Sequence, residues 1–416
     1  MRSYNEALKI LKKSNIKIHD EVIKCINSLN RVCSHNIYSK NNYPPENNTS
    51  LDGFALNFNN TKKTSNRNLK KFKIVATISA GSKPYKKILK KNEAIEIMTG
   101  GIMPKSTNTI IPFEECTITE DKKNKFIIIK KAYKKFNNVR FKGSDYKIKD
   151  IVVKKNTIIN SSHIMALKAL GIENITVKKK INVVFFSSGN EITEKNKISI
   201  WETRNSNHHY LKSLNNNFLF NFKNLGILRD KDENKFYKQL IKILKSKTDI
   251  IITSGAVSAG KFDFIPRVIN KLKLSHKFKN IFIRPGKPIL FAKFKGKSKV
   301  IFGLPGNPIS AAACFRFFVC PYVTNVLGLN PEKPINAKLK NNFIKNKNFT
   351  RFAKSKLSTT KNGKIEVEIL KGQESFRIKP FVKSNIWSLL PSGKSKFKKG
   401  EIVQCFFPNH FNESLI

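Results

Sequence analysis

The chain has 416 residues, of which 40% are hydrophobic and 10% aromatic, enough for a substantial core and two to four domains. It contains no uninterrupted run of about 18 apolar residues, which argues against a membrane span. Its 80 Lys and Arg stand against only 28 Asp and Glu, a net charge of +52.

In chain order, residues 5–34 are predicted as helix, with Ala7, Leu8 and Leu11 and then Val22, Ile23, Ile26 and Leu29 at 3-to-4 spacing. The loop NNYPPENNTSLDGFAL follows, and residues 58–138 hold short β-like runs such as KFKIVATI, AIEIM and KFIIIKKAY. Residues 139–176 carry a GSD turn, the strand IVVKKNTII and the helix SSHIMALKALGI. From residue 181 strands alternate with helices: INVVFFSSG, HHYLKSLNNNFLF, GILRD, ENKFYKQLIKILKSK, DIIITSG, FIPRVINKLK, NIFIRPGKPILFAKF, KVIFG and AAACFRFFVCPYV. Apolar strands alternating with amphipathic helices imply a parallel sheet covered on both faces. Beyond about residue 328 the runs EVEIL, SFRIKPF and EIVQCFF are β-like again.

The expected fold is therefore α/β and multidomain, around a three-layer domain with a mostly parallel sheet at 177–327. Residues 1–57 plus 139–176 form an N-terminal linker domain, 58–138 an inserted β-rich domain, and 328–416 a small C-terminal β-barrel-like domain.

The positive charge raises the question of nucleic acid. Lysine predominates over arginine, the residue suited to bidentate phosphate and base contacts, and the charge is spread along the whole chain. Asn, Ile and Phe are abundant too, the bias of an AT-rich genome, so the charge reads as composition drift that steers anionic ligands. The opening MRSYNEALKILKKSNIKIHDEV lacks the apolar core of an export signal, and six cysteines form no CxxC pair, so a cytoplasmic location is expected.

Chemistry concentrates in polar, glycine-containing turns after the strands: FFSSGNEI, TSGAVSAGKFD, RPGKP and FGLPGNP. Glycine–proline turns alone are usually connectors. In a parallel sheet, however, these turns gather at one rim, where ligands bind. Lys287 beside Gly286, with the rim's hydroxyls and amides, suits a phosphorylated ligand, and the carboxylates of Glu191 and Asp263 suit Mg²⁺.

Taken together, the motifs resemble those of the molybdopterin molybdenumtransferase family, which includes bacterial MoeA and the E domain of gephyrin. PPENNTSLDGFAL is similar to that family's PPxxxSxMDGYA, and EAIEIMTGGIMPKSTNTIIPFE to RIMTGAPLPxGADAVVxxE. NVRFKGSDYKIKD resembles NIRxxGEDxxxG, FFSSGNEI resembles LSTGDEL, and TRNSNHHYL resembles IxNSNxxxL. DIIITSGAVSAGKFD, RPGKP and FGLPGNPISAAACFRFFVCP are similar to DLVITSGGVSxGxxD, KPGKP and FGLPGNPVSAxxxFxxFVxP. The order is kept from residue 5 to 325, with a weaker C-terminal likeness at TRFAKSKL and GQESFRIKP. The chain departs from the pattern at Ala256, Lys261, Ser144, Asn190 and Asn108, mostly by losing a carboxylate. Ala256 replaces a glycine, and there a positive φ would strain it.

The resemblance implies an Mg²⁺-dependent insertion of molybdate into adenylylated molybdopterin, releasing AMP. It implies catalytic roles for Asp52, Thr99, Asp145, Glu191 and Asp263, with Glu191, Asp263 and Asp230 or Asp232 toward the metal. Substrate contacts are implied for Arg140, Ser188, Gly189, Asn207, Ser254, Gly255, Ser258, Lys287, Pro305, Gly306, Asn307, Arg351 and Ser375. It further implies a homodimer in which one chain's rim faces the other's N-terminal domains, and transient contact with an upstream adenylyltransferase and downstream molybdoenzymes. Two alternatives stay open: a molybdopterin adenylyltransferase, and a non-catalytic dimeric scaffold of the same fold.

Overall fold

A computed structural model of the chain describes residues 1–121, 124–214, 219–257, 264–272 and 274–409. Its centre is a six-stranded sheet in the order Phe220–Leu228, Ile181–Ser188, Ile250–Ser254, Val300–Leu304, Leu290–Lys293, Ser275–Lys279. The first four strands are mutually parallel, and each of the last two pairs antiparallel with the strand before it. Side chains alternate between two separate cores, one on each face. Val183, Phe185, Ile250 and Ile252 join one cluster, while Val184, Phe186 and Ile251 join the other. This two-sided burial is why the strands read as unbroken apolar runs.

Helices Glu233–Leu244 and Ile265–Lys271 cover one face through Phe236, Leu240 and Val268. The other face is covered by Ser206–Ser213, by the N-terminal helix Tyr4–Lys13 and by a 19-residue apolar helix, Pro308–Val326. That last helix is long and apolar enough to cross a membrane, yet 83% of it lies inside the fold. Its turn Phe315–Val319 is a π turn just ahead of Pro321, whose ring clashes with an α turn's carbonyl.

The helix expected over 5–34 ends at Lys13, behind a Ser3–Glu6 capping box. The second half of that stretch is instead a strand, Asp20–Lys24, paired antiparallel with Asn174–Lys178. Val22, Ile26 and Leu29, counted as one buried helical face, are 68%, 65% and 45% exposed. Two β-branched neighbours, Val22 and Ile23, fit a strand better than a helix.

Beyond this strand pair, Ile37–Tyr38 pairs with Ile151–Val153 over a small core of Cys25, Cys33, Val153, Leu167 and Val177. Between those pairings rises a second six-stranded sheet, which Gly53–Leu56 enters alongside Lys70–Ile78, Glu93–Ile97, Thr109–Pro112, Cys116–Glu120 and Lys125–Ile129. At the C-terminal end, Thr350–Thr359, Ile365–Ile369, Ile335–Leu339, Ile402–Phe406 and Ile386–Leu390 pair in sequence. The last returns to the first and closes a barrel. The architecture is the expected α/β multidomain class. Two further elements differ: Ile283–Arg284 leaves the central sheet and pairs with Thr350–Arg351 of the barrel strand, and the run SFRIKPF, expected as β-like, holds no strand but leads into the short helix Lys379–Lys383, whose first turn suits Pro380.

Arg316, 1% exposed, fixes the barrel to the long helix. Its Nη2 donates to both Glu332 carboxylate oxygens at 2.5 and 2.7 Å, and its Nε donates to the Phe407 carbonyl at 2.6 Å. Removing the acid takes the counter-charge from a buried cation. Glu332→Ala is therefore expected to cost roughly 3 kcal/mol in denaturant unfolding, whereas a change within about 0.5 kcal/mol, typical of surface sites, would contradict this reading.

Candidate functional site

Because four neighbouring strands are parallel, their carboxyl ends open on one rim. Ser188 pairs with Leu228 across one strand border, Ser187 with Ser254 across the next, and Ser254 with Leu304 across the third. A cavity of about 510 Å³ lies there, lined by Ser188, Gly189, Glu191, Asn207, Asp230, Ser254, Gly255, Pro305, Gly306 and Asn307. A second cavity, about 1090 Å³, opens alongside and shares Pro288, Pro305 and Asn307 with it. Lys287, Arg351 and Ser375 line this second space, together with Arg284, Lys345, Lys371 and Glu374.

The backbone at the rim is held by positions that only glycine fills easily. Gly255 has φ +96°, and a Cβ on it would lie 2.3 Å from the Ser188 carbonyl oxygen. Ala256, the residue after it, takes φ 53°, the left-handed region in which a Cβ costs about 1–2 kcal/mol. The strain expected from the sequence is present.

Hydrogen bonds determine which rim groups remain for a ligand. Asn207 Nδ2 donates to Ser254 Oγ and to the Gly306 carbonyl, both at 2.7 Å, and Ser254 Oγ donates to the Pro305 carbonyl. The Gly189 and Gly255 amides are spent on the Leu228 and Leu304 carbonyls. The first turn of the Pro308 helix is also partly occupied. Pro308 has no N–H, and the Ile309 amide donates to the Ser375 carbonyl at 3.3 Å. The row of bare amides expected there is thus shorter. Ser188 supplies what they do not: its Oγ is buried, without a partner, on the cavity wall.

Asn190, which stands where the resemblance suggests an acid, has a structural reason. Its Nδ2 donates to Asp230 Oδ2 at 2.8 Å, and the Asp230 amide donates back to its Oδ1 at 3.1 Å. A second carboxylate there would repel Asp230. Arg229 secures the same turn by donating to the carbonyls of Gly189, Asn190 and Ile192 at 2.8–3.0 Å.

In the second cavity the charge is cationic. The Arg351 Nε is buried without a partner, and burial followed by the nearby Arg284 disfavours its charge. A bound anion relieves both effects. Beneath the loop 370–378, Lys354 is 1% exposed and donates to the Glu374 and Arg377 carbonyls at 3.0 and 3.1 Å. Burial and the Arg351 charge push its ammonium down to about 8. Ser375, on the same loop, accepts from Asn307 Nδ2 at 3.1 Å and ties barrel to rim.

A separate cluster forms in the N-terminal modules. Asp52 Oδ1 accepts from the Thr99 amide at 2.6 Å and from its hydroxyl at 2.8 Å, and these bonds hold the Asp52 carboxyl below its ordinary range. Arg140 reaches the Ser50 carbonyl at 3.4 Å, and the Asp145 amide donates to the Tyr43 carbonyl at 3.0 Å. Asp52, Thr99, Asp145 and Arg140 line neither rim cavity of the same chain. Asp232 also lines neither; its Oδ2 accepts from the Arg229 amide at 2.8 Å. Ser258 and Asp263 lie outside the described residues. Sequence reasoning missed Asn205, Arg229, Arg284, Lys345, Lys354 and Lys371. Arg229 was the most accessible of them, an arginine directly before Asp230 at a strand end.

Three family profiles match this layout in chain order. They are the MoeA N-terminal region (domain I and II) at residues 2–171, a probable molybdopterin binding domain at 185–325 and the MoeA C-terminal region (domain IV) at 336–406. The rim belongs to the middle segment and the Asp52–Thr99 cluster to the first. A molybdopterin biosynthesis MoeA protein from Pyrococcus horikosii superposes with TM-score 0.82 at 25% identity, covering 98% of each chain. The chain is thus of the MoeA class in fold. A molybdopterin molybdenumtransferase of Staphylococcus epidermidis is 30% identical, covering 100% of this chain and 98% of that protein. One from Staphylococcus aureus (strain COL) is 31% identical, covering 90% and 88%. The chain belongs to the molybdopterin molybdenumtransferase family.

Ala256→Gly is expected to raise stability by about 1 kcal/mol, the relief of left-handed strain less the entropy glycine adds to the unfolded chain. Thermal and denaturant unfolding check it; a loss of stability would mean that the Ala256 conformation is not strained.

Proposed function

We propose that this protein inserts molybdenum into molybdopterin, taking molybdate and adenylylated molybdopterin to molybdenum cofactor and AMP. The observation that carries the reading is the pair of adjoining cavities. One is a hydroxyl- and carboxylate-lined pocket with the unpartnered Ser188 Oγ, and the other is a cationic pocket with the unpartnered Arg351 Nε. Family membership at full-chain coverage supports the same chemistry.

The first cavity suits the phosphate-bearing end of the pterin. The Ser188 hydroxyl is free to donate to a phosphate oxygen, and Lys287 stands across the shared Pro288 wall. The second cavity suits molybdate, a dianion that Arg284, Lys287, Arg351 and Lys345 attract. The pterin brings its own dithiolene sulfurs as soft ligands, so protein thiols are not required. Consistent with that, burial pushes the thiols of Cys314 and Cys320 up, away from the reactive thiolate form.

Mg²⁺ fits the donors present. Glu191 and Asp230 are oxygen ligands on one cavity wall, and the Glu191 carboxylate lies over Gly189, where a Cβ would come within 2.5 Å of it. These two residues would hold the ion, with Asp263 as a third candidate. When bound it supplies charge stabilisation at the phosphate. The chain's own residues orient the substrate: Asn207 holds the Ser254 and Gly306 turns together, and Arg229 secures the turn that carries Glu191.

Asp52 and Thr99 line neither rim cavity of their own chain, so we assign them to the rim of a second copy in a homodimer. A cytoplasmic location goes with this reading. AMP release from adenylylated molybdopterin is expected only when molybdate and Mg²⁺ are both supplied, with active cofactor formed. Consumption of ATP with unmodified molybdopterin would instead mark an adenylyltransferase. A folded protein that binds the pterin but releases no AMP would be a scaffold.

A further inference from the structure

Behind the wall of the rim cavity stands a second group of ligating side chains that the proposed reaction does not use. His208 and His209 are consecutive on the helix Ser206–Ser213, and Glu194 follows the short strand Ile192–Thr193. Each offers one ligand atom, and the three atoms lie within 4.8 Å of one another. None of the three lines the rim cavity.

Each residue is held toward the others by a different neighbour. His208 is 6% exposed and its ring stacks on Phe185 and Phe222 at 5.8 and 6.2 Å, so its rotamer is locked by the core. Its Nδ1 is buried and has no hydrogen-bond partner. Burying a polar nitrogen without a partner is costly, and such a group calls for a water, a ligand or an ion. His209 brings its ring 4.9 Å from that of His208, and its Nε2 stands 3.1 Å from Glu194 Oε2. The other carboxylate oxygen, Oε1, accepts from Asn205 Nδ2 at 2.7 Å, and Asn205 Oδ1 in turn accepts from Ser187 Oγ at 2.7 Å. An outer hydrogen bond of that kind orients a metal-bound carboxylate.

We propose that Glu194, His208 and His209 form a site for one divalent transition-metal ion of the zinc class. Two imidazole nitrogens and one carboxylate oxygen are the donor set of a zinc-type ion, with positions left for water. Mg²⁺ and Ca²⁺ prefer all-oxygen sets, which separates this site from the Glu191–Asp230 carboxylates on the cavity wall. Ligand atoms around a tetrahedral zinc stand roughly 3.3 Å apart, given bonds of about 2.0–2.1 Å. The group must therefore tighten, and the side chains of His209 and Glu194, 65% and 47% exposed, have solvent-side room to do so while Asn205 keeps its bond to Glu194 Oε1. The ion takes the place of the His209–Glu194 hydrogen bond and locks Asn205, and through it Ser187, against the cavity wall.

The test is calorimetric titration of the metal-stripped full chain with ZnCl₂, paired with the absorption spectrum of the Co²⁺ form. Expected are one tight site per chain and a Co²⁺ spectrum of nitrogen and oxygen ligands. Glu194→Gln and His209→Ala, both at exposed side chains, should each weaken Zn²⁺ at least 10-fold, with circular dichroism unchanged. Absence of a stoichiometric site, an affinity unchanged in either variant, or a Co²⁺ spectrum with thiolate charge-transfer bands would overturn the proposal. The readout is binding alone, so it stands apart from turnover.

Discussion

The site depends on one close approach of two backbones. The Cα of Gly255 lies against the Ser188 carbonyl so tightly that a Cβ would stop 2.3 Å from its oxygen. The same economy recurs at Gly303, where a Cβ would meet Val257 Cγ1 at 2.6 Å, and at Gly286, where it would meet Cys314 Sγ at 2.4 Å. Parallel strands bring the turns to one rim, but these contacts bring them within reach of a single ligand. A side chain at Gly255 would spread the strand ends apart. The Asn207 bridge from Ser254 to Gly306 spans a gap that such spreading would open.

Electrostatics then divides the rim. On one side Glu191 and Asp230 put oxygen ligands into a pocket, and Asn190 spares Asp230 a carboxylate neighbour by pairing with it through an amide. On the other side Arg284, Lys287, Lys345, Arg351 and Lys371 meet, among the described residues, a single acid, Glu374. In the proposed reading, a cation site and an anion site across one proline wall let a phosphate ester and an oxyanion approach together without sharing a subsite. The chain's overall excess of lysine raises the local concentration of such anions.

Much of this was legible from the residues. Unbroken apolar runs such as VVFF and IIIT announce strands buried on both faces, and the glycine turns after them announce the rim. The strain at Ala256 followed from one missing glycine. The helix misread over 5–34 shows the limit of periodicity: Val22, Ile23, Ile26 and Leu29 match a helical stripe in spacing, but pairing with Asn174–Lys178 decides the matter 150 residues away. Ile283–Arg284 was lost to the barrel for the same non-local reason. The cationic cavity was legible in part: Lys287, Arg351 and Ser375 were expected substrate contacts, whereas Lys345 and Lys371 carry no contrast in a sequence where lysine is everywhere. The occupied amide of Ile309 was equally hidden, since its partner Ser375 comes from another domain.

One arrangement links both halves of the proposed site: Asp52, Thr99 and Arg140 from one copy over the rim of another. The direct measurement is turnover of heterodimers that carry Asp52→Ala on one chain and Glu191→Ala on the other, co-expressed and purified through two tags. If each site draws on both chains, one site per heterodimer is left intact, and AMP release should return to about half that of the unmodified dimer while both parent homodimers stay inactive. Heterodimers as inactive as the parents would contradict the shared site and place Asp52 and Glu191 in the service of the same rim.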